Sequence, residues 1–234
     1  MFNTIHLEKV NSTNTYLKEN YQNLPSFTFV RADYQTDGKG RNDRKWLSND
    51  KDNLLFSLLI KEKNVIEKFN VLSLGVAFII ARCLENLGLN DVSIKWPNDV
   101  YVKGRKICGI LLEGSIPEYV VIGIGINVNQ TTFPCNLRTP ATSIGLEFKR
   151  EIDVNPLFED LTNDLYSFIA TLNENISVCE DFIQKHNYLL GKRVKVADMV
   201  GKVEGLSKDF SLLLDVDGKI KTISSGEIEI IFTK

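Results

Sequence analysis

Between Val92 and Asn129 the chain presents four apolar segments in close succession: Val92–Trp96, Val100–Val102, Lys106–Glu113 and Glu118–Asn129. Connections this short leave room for turns, such as Lys103-Gly104-Arg105, and none for crossover helices. The segments therefore predict an antiparallel meander. Phe27–Asp33 predicts another strand, and the apolar run NLLFSLLI at Asn53–Ile60 predicts a buried one. Residues 12–23 begin on Ser, Thr and Asn and predict a short capped helix. Val65–Leu87 repeats apolar residues at helical spacing until Gly88 stops it. Pro156–Leu172 and Val178–Leu189 predict two further helices.

From Gly191 the pattern changes to short alternating runs: Arg193–Ala197, Lys202–Leu206, Ser211–Val216, Lys219–Ile223 and Ile228–Phe232. Asp217-Gly218 is a hairpin turn between two of them. The expected class is α+β, with strands and helices segregated. A first unit, residues 1–189, carries a mixed or antiparallel sheet with helices packed on it. A second, residues 190–234, forms a small SH3-like β-barrel. A module of that size gains little core alone, so it should dock on the first.

Hydrophobic residues are 43% of the chain and charged residues 25%. That balance excludes disorder, collagen and coiled coil. With 28 basic against 30 acidic residues the net charge is −2, which argues against nucleic acid or an anionic membrane as partner. MFNTIHLEKVN is not a secretory signal, and the longest apolar stretch, Val71–Ala81, is too short to span a bilayer. A cytoplasmic location is expected. The four cysteines, Cys83, Cys108, Cys135 and Cys179, form no CxxC pair, and only His6 and His186 accompany them. A tightly bound metal is not expected, and the thiols should be reduced and mostly buried. A cysteine nucleophile would have to rely on His186 as its base.

Five segments carry polar chemistry. Residues 34–53 form a long polar stretch without clear period, which in a compact domain usually works on a ligand. Within it, Gly38 and Gly40 let the backbone come close to a ligand, and Lys39, Arg41, Arg44 and Lys45 can meet phosphate or carboxylate. It is neither a Walker loop nor a dinucleotide fingerprint. On residue types alone it also reads as a solvated charged loop. Lys95-Trp96-Pro97-Asn98-Asp99 follows a strand. It is ordinary turn chemistry, unless Asp99 faces a nucleotide or its magnesium and Trp96 lies beneath a ring. Lys106 opens the strand KICGILLE, and Gly109 leaves room against the sheet. Gly123-Ile124-Gly125-Ile126-Asn127 puts two glycines into one strand, which weakens it unless something packs close. Ser12-Thr13-Asn14 cap a helix at first sight, yet their side chains could hold a small polar ring.

The order of these segments resembles the biotin protein ligases: STN, then YQTDGKGRNDRKW, KWPNDV, GRKICGILLE and VVIGIGINVN. The resemblance covers essentially the whole chain, including the C-terminal module. The motifs begin at residue 12, so it is to the short, monofunctional class without an N-terminal winged helix. Transcriptional repression is not implied. The glycine-rich loop reads GKGR here where the family has GRGR, which keeps the charge but loses the planar fork of arginine. Asn42 and Asp43 stand where many relatives have Arg-Gly.

The resemblance implies a two-step reaction. The biotin carboxylate attacks the α-phosphate of ATP to give biotinyl-5′-AMP and pyrophosphate. A carrier-domain lysine, such as that of acetyl-CoA carboxylase, then takes the biotinyl group and AMP leaves. It further implies Lys106, Arg41 and Lys39 as catalytic cations that screen two anions brought together. Ser12, Thr13, Asn14, Gln35, Gly38, Arg41, Lys106 and Gly109 should bind biotin. Lys39, Arg41, Arg44, Trp46, Asn98, Asp99, Asn127 and Lys195 should bind ATP. Mg2+ should arrive with ATP, near Asp99. The loop 34–53 should be mobile in the free protein and order over the intermediate, excluding water from a labile anhydride. A biotin carboxyl carrier domain is the expected partner, and the chain should be a monomer or weak homodimer. The competing readings are a lipoate or octanoate ligase or transferase, and a non-catalytic biotin-binding protein.

Overall fold

The computed structural model describes residues 2–42, 44–49, 51–135 and 137–231. In chain order the strands and helices are β1 (Asn3–Val10), α1 (Thr13–Asn20), β2 (Thr28–Gln35), β3 (Asn53–Ile60), α2 (Lys63–Ile66), α3 (Phe69–Asn86), β4 (Val92–Lys95), β5 (Asp99–Val102), β6 (Arg105–Ser115), β7 (Tyr119–Asn127), α4 (Ile144–Phe148), α5 (Val154–Ala170), α6 (Leu172–Lys185), β8 (Arg193–Val196), β9 (Met199–Leu206), β10 (Leu212–Val216), β11 (Lys219–Ile223) and β12 (Glu229–Ile230). Among the described residues no helix is long and apolar enough to cross a membrane.

Seven strands form one sheet in the order β1-β2-β3-β7-β6-β5-β4. Only β1 and β2 are parallel; every other pair is antiparallel, and β4 to β7 are the meander predicted from their short connections. The two central strands, β3 and β7, are buried at every position. Their side chains alternate between two faces. Leu54, Phe56, Leu58 and Ile60 of β3 and Val120, Ile122, Ile124 and Ile126 of β7 join the main core with α3, α5 and α6. On the opposite face, Leu59 and Val121 join a smaller cluster with Leu17 of α1. That face is covered by α1 at one end, and beyond it lie Gly123, Gly125 and Asn127.

The α5 helix starts where Asp153 caps it, its carboxylate accepting the Asn155 amide. Pro156 then falls in the first turn, where it interrupts no hydrogen bond. The 65–87 helix is divided, because Lys68 leaves helical geometry between α2 and α3. The α6 helix begins at Leu172, six residues before the apolar period becomes visible. β1 and α4 were not foreseen. β1 alternates as a mostly exposed edge strand and offers only Ile5, Leu7 and Val10 as signal.

The C-terminal residues form a second, antiparallel sheet in the order β11-β10-β9-β8-β12. Asp217 and Gly218 both have positive φ, as the Asp-Gly hairpin requires. Of the expected last strand, Phe232 lies outside the described residues. Docking on the first sheet is direct: Val194, Val203, Phe210, Leu212 and Ile228 share the main core, and the buried Trp96 indole donates to the Phe210 carbonyl at 2.9 Å.

Candidate functional site

A cavity of about 350 Å3 opens on the half of the sheet that α1 leaves uncovered. Its floor follows from register. Gly125 of β7 pairs with Gly109 of β6, Gly109 with Asp99 of β5, and Asp99 with Lys95 of β4. These residues form one row across four strands, on one face. The two glycines leave a slot in which the Trp46 indole lies flat: a Cβ on Gly125 would stand 2.6 Å from the ring, and one on Gly109 2.8 Å. Trp46 is held there by its own loop, its amide donating to the Gly38 carbonyl at 2.9 Å.

Lys106 reaches this face through an irregularity. The β5–β6 register shifts between Val100 and Tyr101, so that Val100 pairs with Cys108 and Tyr101 with Lys106. Ile107 is the extra residue. Without this bulge, strict alternation would put Lys106 on the core side; with it, the lysine shares the face of Gly109. Its Nζ sits 2.7 Å from the Asp99 carboxylate and 5.6 Å from the centre of the Trp46 ring. Segment 140–142 clamps its backbone, through Lys106 N to Pro140 O and Thr142 N to Lys106 O.

One end of the cavity is a chain of hydrogen bonds. Gln35 Oε1 accepts from the Thr13 amide at 2.7 Å, and the Thr13 and Ser57 hydroxyls meet at 2.7 Å. The Ser57 hydroxyl donates to Asn14 Oδ1 at 2.6 Å, and Asn14 Nδ2 donates to Glu113 at 2.8 Å. Lys18 completes the chain on Glu113. Asn14 lies directly over Gly123, where no side chain could fit beneath it. Ser12 is buried at the N-terminus of α1, but its hydroxyl makes no cap hydrogen bond. The end wall thus offers donors and acceptors fixed by partners, suited to a small polar ring.

The other end is cationic. Among the described residues, Lys39, Arg41, Arg44, Lys45, Lys95, Lys106 and Arg138 line the cavity against the carboxylates of Asp99 and Glu227. Seven cations facing two anions favour a polyanionic ligand. Glu227, from the C-terminal module, ties the loop down: it accepts from Asn42, Arg44 and Arg138, while Arg41 donates to Asn98 Oδ1 and to the Gly226 carbonyl at 3.1 Å. Those partners, Arg44 foremost, hold the Glu227 carboxyl at about 2, well below the usual carboxylate value. Burial pushes the Lys95 ammonium below the usual lysine value, against an upward pull from Asp99.

The structure brings most of the predicted residues together. Ser12, Thr13, Asn14, Gln35, Lys39, Arg41, Arg44, Trp46, Asn98, Asp99, Lys106, Gly109 and Asn127 all line the one cavity. Gly38 acts from behind, through Trp46. Lys195 is not among them: it is an exposed residue of β8, paired with Glu229 in the ladder. Asn127 is buried and donates to the Thr142 carbonyl at 3.0 Å, so part of its amide serves the segment that clamps Lys106. Asp43 lies outside the described residues. Sequence reasoning missed Ser57, Glu113, Lys18, Lys95, Arg138 and Glu227 as site residues. Ser57 carried a signal, as the one hydroxyl in NLLFSLLI, and Lys95 opens the segment Lys95-Trp96-Pro97-Asn98-Asp99; the others depend on tertiary contacts.

A model of the biotin/lipoate A/B protein ligase family matches residues 7–127. The chain is 30% identical over 234 residues to the bifunctional ligase/repressor BirA of Escherichia coli, covering 96% of this chain and 73% of that protein. It is 29% identical over 207 residues to the biotin–[acetyl-CoA-carboxylase] ligase of Mycobacterium tuberculosis, covering 84% and 76%. The biotin protein ligase of Aquifex aeolicus in complex with biotin and ATP superposes with a TM-score of 0.89 at 32% identity, over 100% of both chains.

Proposed function

The chain belongs to the biotin/lipoate A/B protein ligase family, and from that premise we propose how its cavity divides the work of a biotin protein ligase. Biotin and ATP are its small substrates. Adenylation joins the biotin carboxylate oxygen to the α-phosphorus and releases pyrophosphate. In transfer, a carrier lysine amine attacks the acyl carbon, AMP departs with the bonding electron pair, and the amine gives up a proton. A biotin carboxyl carrier domain is the proposed acceptor. Residues 1–189 are proposed as the catalytic unit and 190–234 as a module that closes over it.

The ureido ring suits the hydrogen-bonded end wall of Ser12, Thr13, Asn14 and Gln35, since it carries both donors and an acceptor. The apolar part of biotin suits the slot over Gly109 and Gly125 once the Trp46 indole lifts off the glycine floor to cover it. The carboxylate and α-phosphate would then meet between Lys106 and Arg41, whose charges offset the repulsion of two anions and stabilise the charge of the transition state. Lys39 and Arg44 add to that field. Trp46 packs over the adenylate, and its buried indole Nε1, which lacks an acceptor among the described residues, gains one when a ligand is present. Asn127 and Asn98 shape the nucleotide wall. The loop holding Trp46 orders over the anhydride and keeps water from it.

Mg2+ is proposed to arrive with ATP. Asp99 is a single carboxylate, already paired with Lys106, and Mg2+ bound through phosphates needs only one or two. The ion would draw charge from the phosphates while Lys106 and Arg41 position them.

The observation that carries this reading is the joining of a polar end wall, a glycine-floored slot and a surplus of cations in one cavity. Labelled biotin offered with ATP and an isolated carrier domain tests it. Covalent label on the carrier, dependent on ATP, is expected. Tight binding of biotin with no label on any carrier domain would make the chain a binder and not a ligase.

A further inference from the structure

We propose that Lys95 is a further catalytic residue, the one that binds the pyrophosphate leaving group in the adenylation step. The proposal deepens the ligase reading and rests on it. Lys95 ends β4 and lies in the same row as the slot, two strands beyond Gly109 and one beyond Asp99. At ~4.8 Å per strand, that is roughly 10 Å from the slot floor. It is the outermost cation of the row, on the side away from the Thr13–Asn14–Ser57 wall. In an in-line displacement the leaving group departs opposite the attacking oxygen. With the biotin ring at the end wall and its carboxylate near Lys106, the departing pyrophosphate points along this row toward Lys95.

The charge pattern agrees. Lys106 is paired with Asp99, Arg44 and Arg138 with Glu227, and Lys45 with Asp37. Among the described residues Lys95 makes no ion pair. Its ammonium lies over the Tyr101 ring at 5.5 Å and reaches the Tyr101 hydroxyl at 3.3 Å. Its one acidic neighbour, Asp99, is already bound by Lys106, so this half-buried cation is costly to keep charged. Pyrophosphate, a multiply charged anion, would supply the missing counter-charge and draws its full benefit only as charge builds on the leaving oxygen.

The two half-reactions separate this role from a structural one. Lys95→Gln should slow biotinyl-5′-AMP formation from biotin and ATP by about 10- to 100-fold, the size of one charge-assisted hydrogen bond. Transfer from supplied biotinyl-5′-AMP to the carrier domain, which involves no pyrophosphate, should stay within about twofold of the unmodified protein, and inhibition by added pyrophosphate should weaken. Equal loss in both half-reactions, or unchanged adenylation, would overturn the assignment. In the unmodified protein, inorganic pyrophosphate should shield Lys95 from amine acetylation, read by peptide mass, whereas biotin alone should not. Equal acetylation with and without pyrophosphate would also overturn it. If the unmodified protein itself makes no adenylate, the ligase reading falls before the assignment to Lys95.

Discussion

Alanine at Gly125 puts the slot to a quantitative test. An added Cβ would stand 2.6 Å from Cε2, 2.8 Å from Cζ2 and 3.0 Å from Cδ2 of Trp46. Carbon atoms rest at ~3.5–4.0 Å, so the ring has to lift by about 1 Å. The backbone accepts the change, because Gly125 is not among the residues with positive φ. Alanine in a strand also recovers the ~0.5–1 kcal/mol that glycine costs there. Since Trp46 sits on a loop that can shift, the melting temperature should stay within a few degrees of the parent. The slot loses a methyl's depth, and overfilling of that kind costs about 1–3 kcal/mol, or roughly 5- to 150-fold in affinity for biotin and its adenylate. Tryptophan fluorescence provides the assay. The chain has two tryptophans, and both line the cavity, so the titration with biotin and ATP is read in a Trp96→Phe background, where changes report Trp46. Parental affinity with an unaltered fluorescence response would refute the claim that Trp46 and the ligand share the glycine floor.

Four other outcomes follow from the same geometry. Lys106→Ala should fold normally yet lose pyrophosphate release by about 100-fold or more, because the cation beside the reacting anions is gone; near-normal release would remove Lys106 from the mechanism. Glu227→Ala should free the loop from the C-terminal module, raising protease cleavage within residues 38–47 and shortening adenylate retention, with under about 1 kcal/mol lost in stability because these pairs are exposed. The Glu227 carboxyl is lowered from 4.5 to about 2, so its contribution is complete above the unfolded value and is lost only as pH falls toward 2; loop protection in the parent should therefore be level between pH 8 and 5. A maleimide should label Cys135 alone in the native protein, since Cys83, Cys108 and Cys179 are buried and burial pushes the Cys83 and Cys179 thiols up to about 12; a second fast thiol would contradict the core described here.

The motif residues were legible because the sheet places them at ends and irregularities of strands, where type and spacing stand out from the apolar background. Gly109 and Gly125 fall in separate motifs, and nothing local says that they pair across β6 and β7 to make one floor. The bulge at Ile107 is equally silent: KICGILLE reads as a plain strand, and only the shifted partner of Tyr101 reveals why Lys106 faces the cavity. Ser57 looked like a blemish in a buried strand, but it joins Thr13 to Asn14. Lys195 is a different case. The resemblance alone singles it out, and it stands exposed on β8 outside the cavity lining, while Glu227 and Arg138 make the contact between the module and the site. β1 escaped notice because an edge strand needs few apolar residues.

The central claim is that this cavity activates biotin with ATP. Pyrophosphate release with ATP and Mg2+, run beside biotin and lipoate with no carrier present, tests it most directly. Release with biotin and not with lipoate is the predicted result. Release with lipoate alone, or none with biotin, would contradict it.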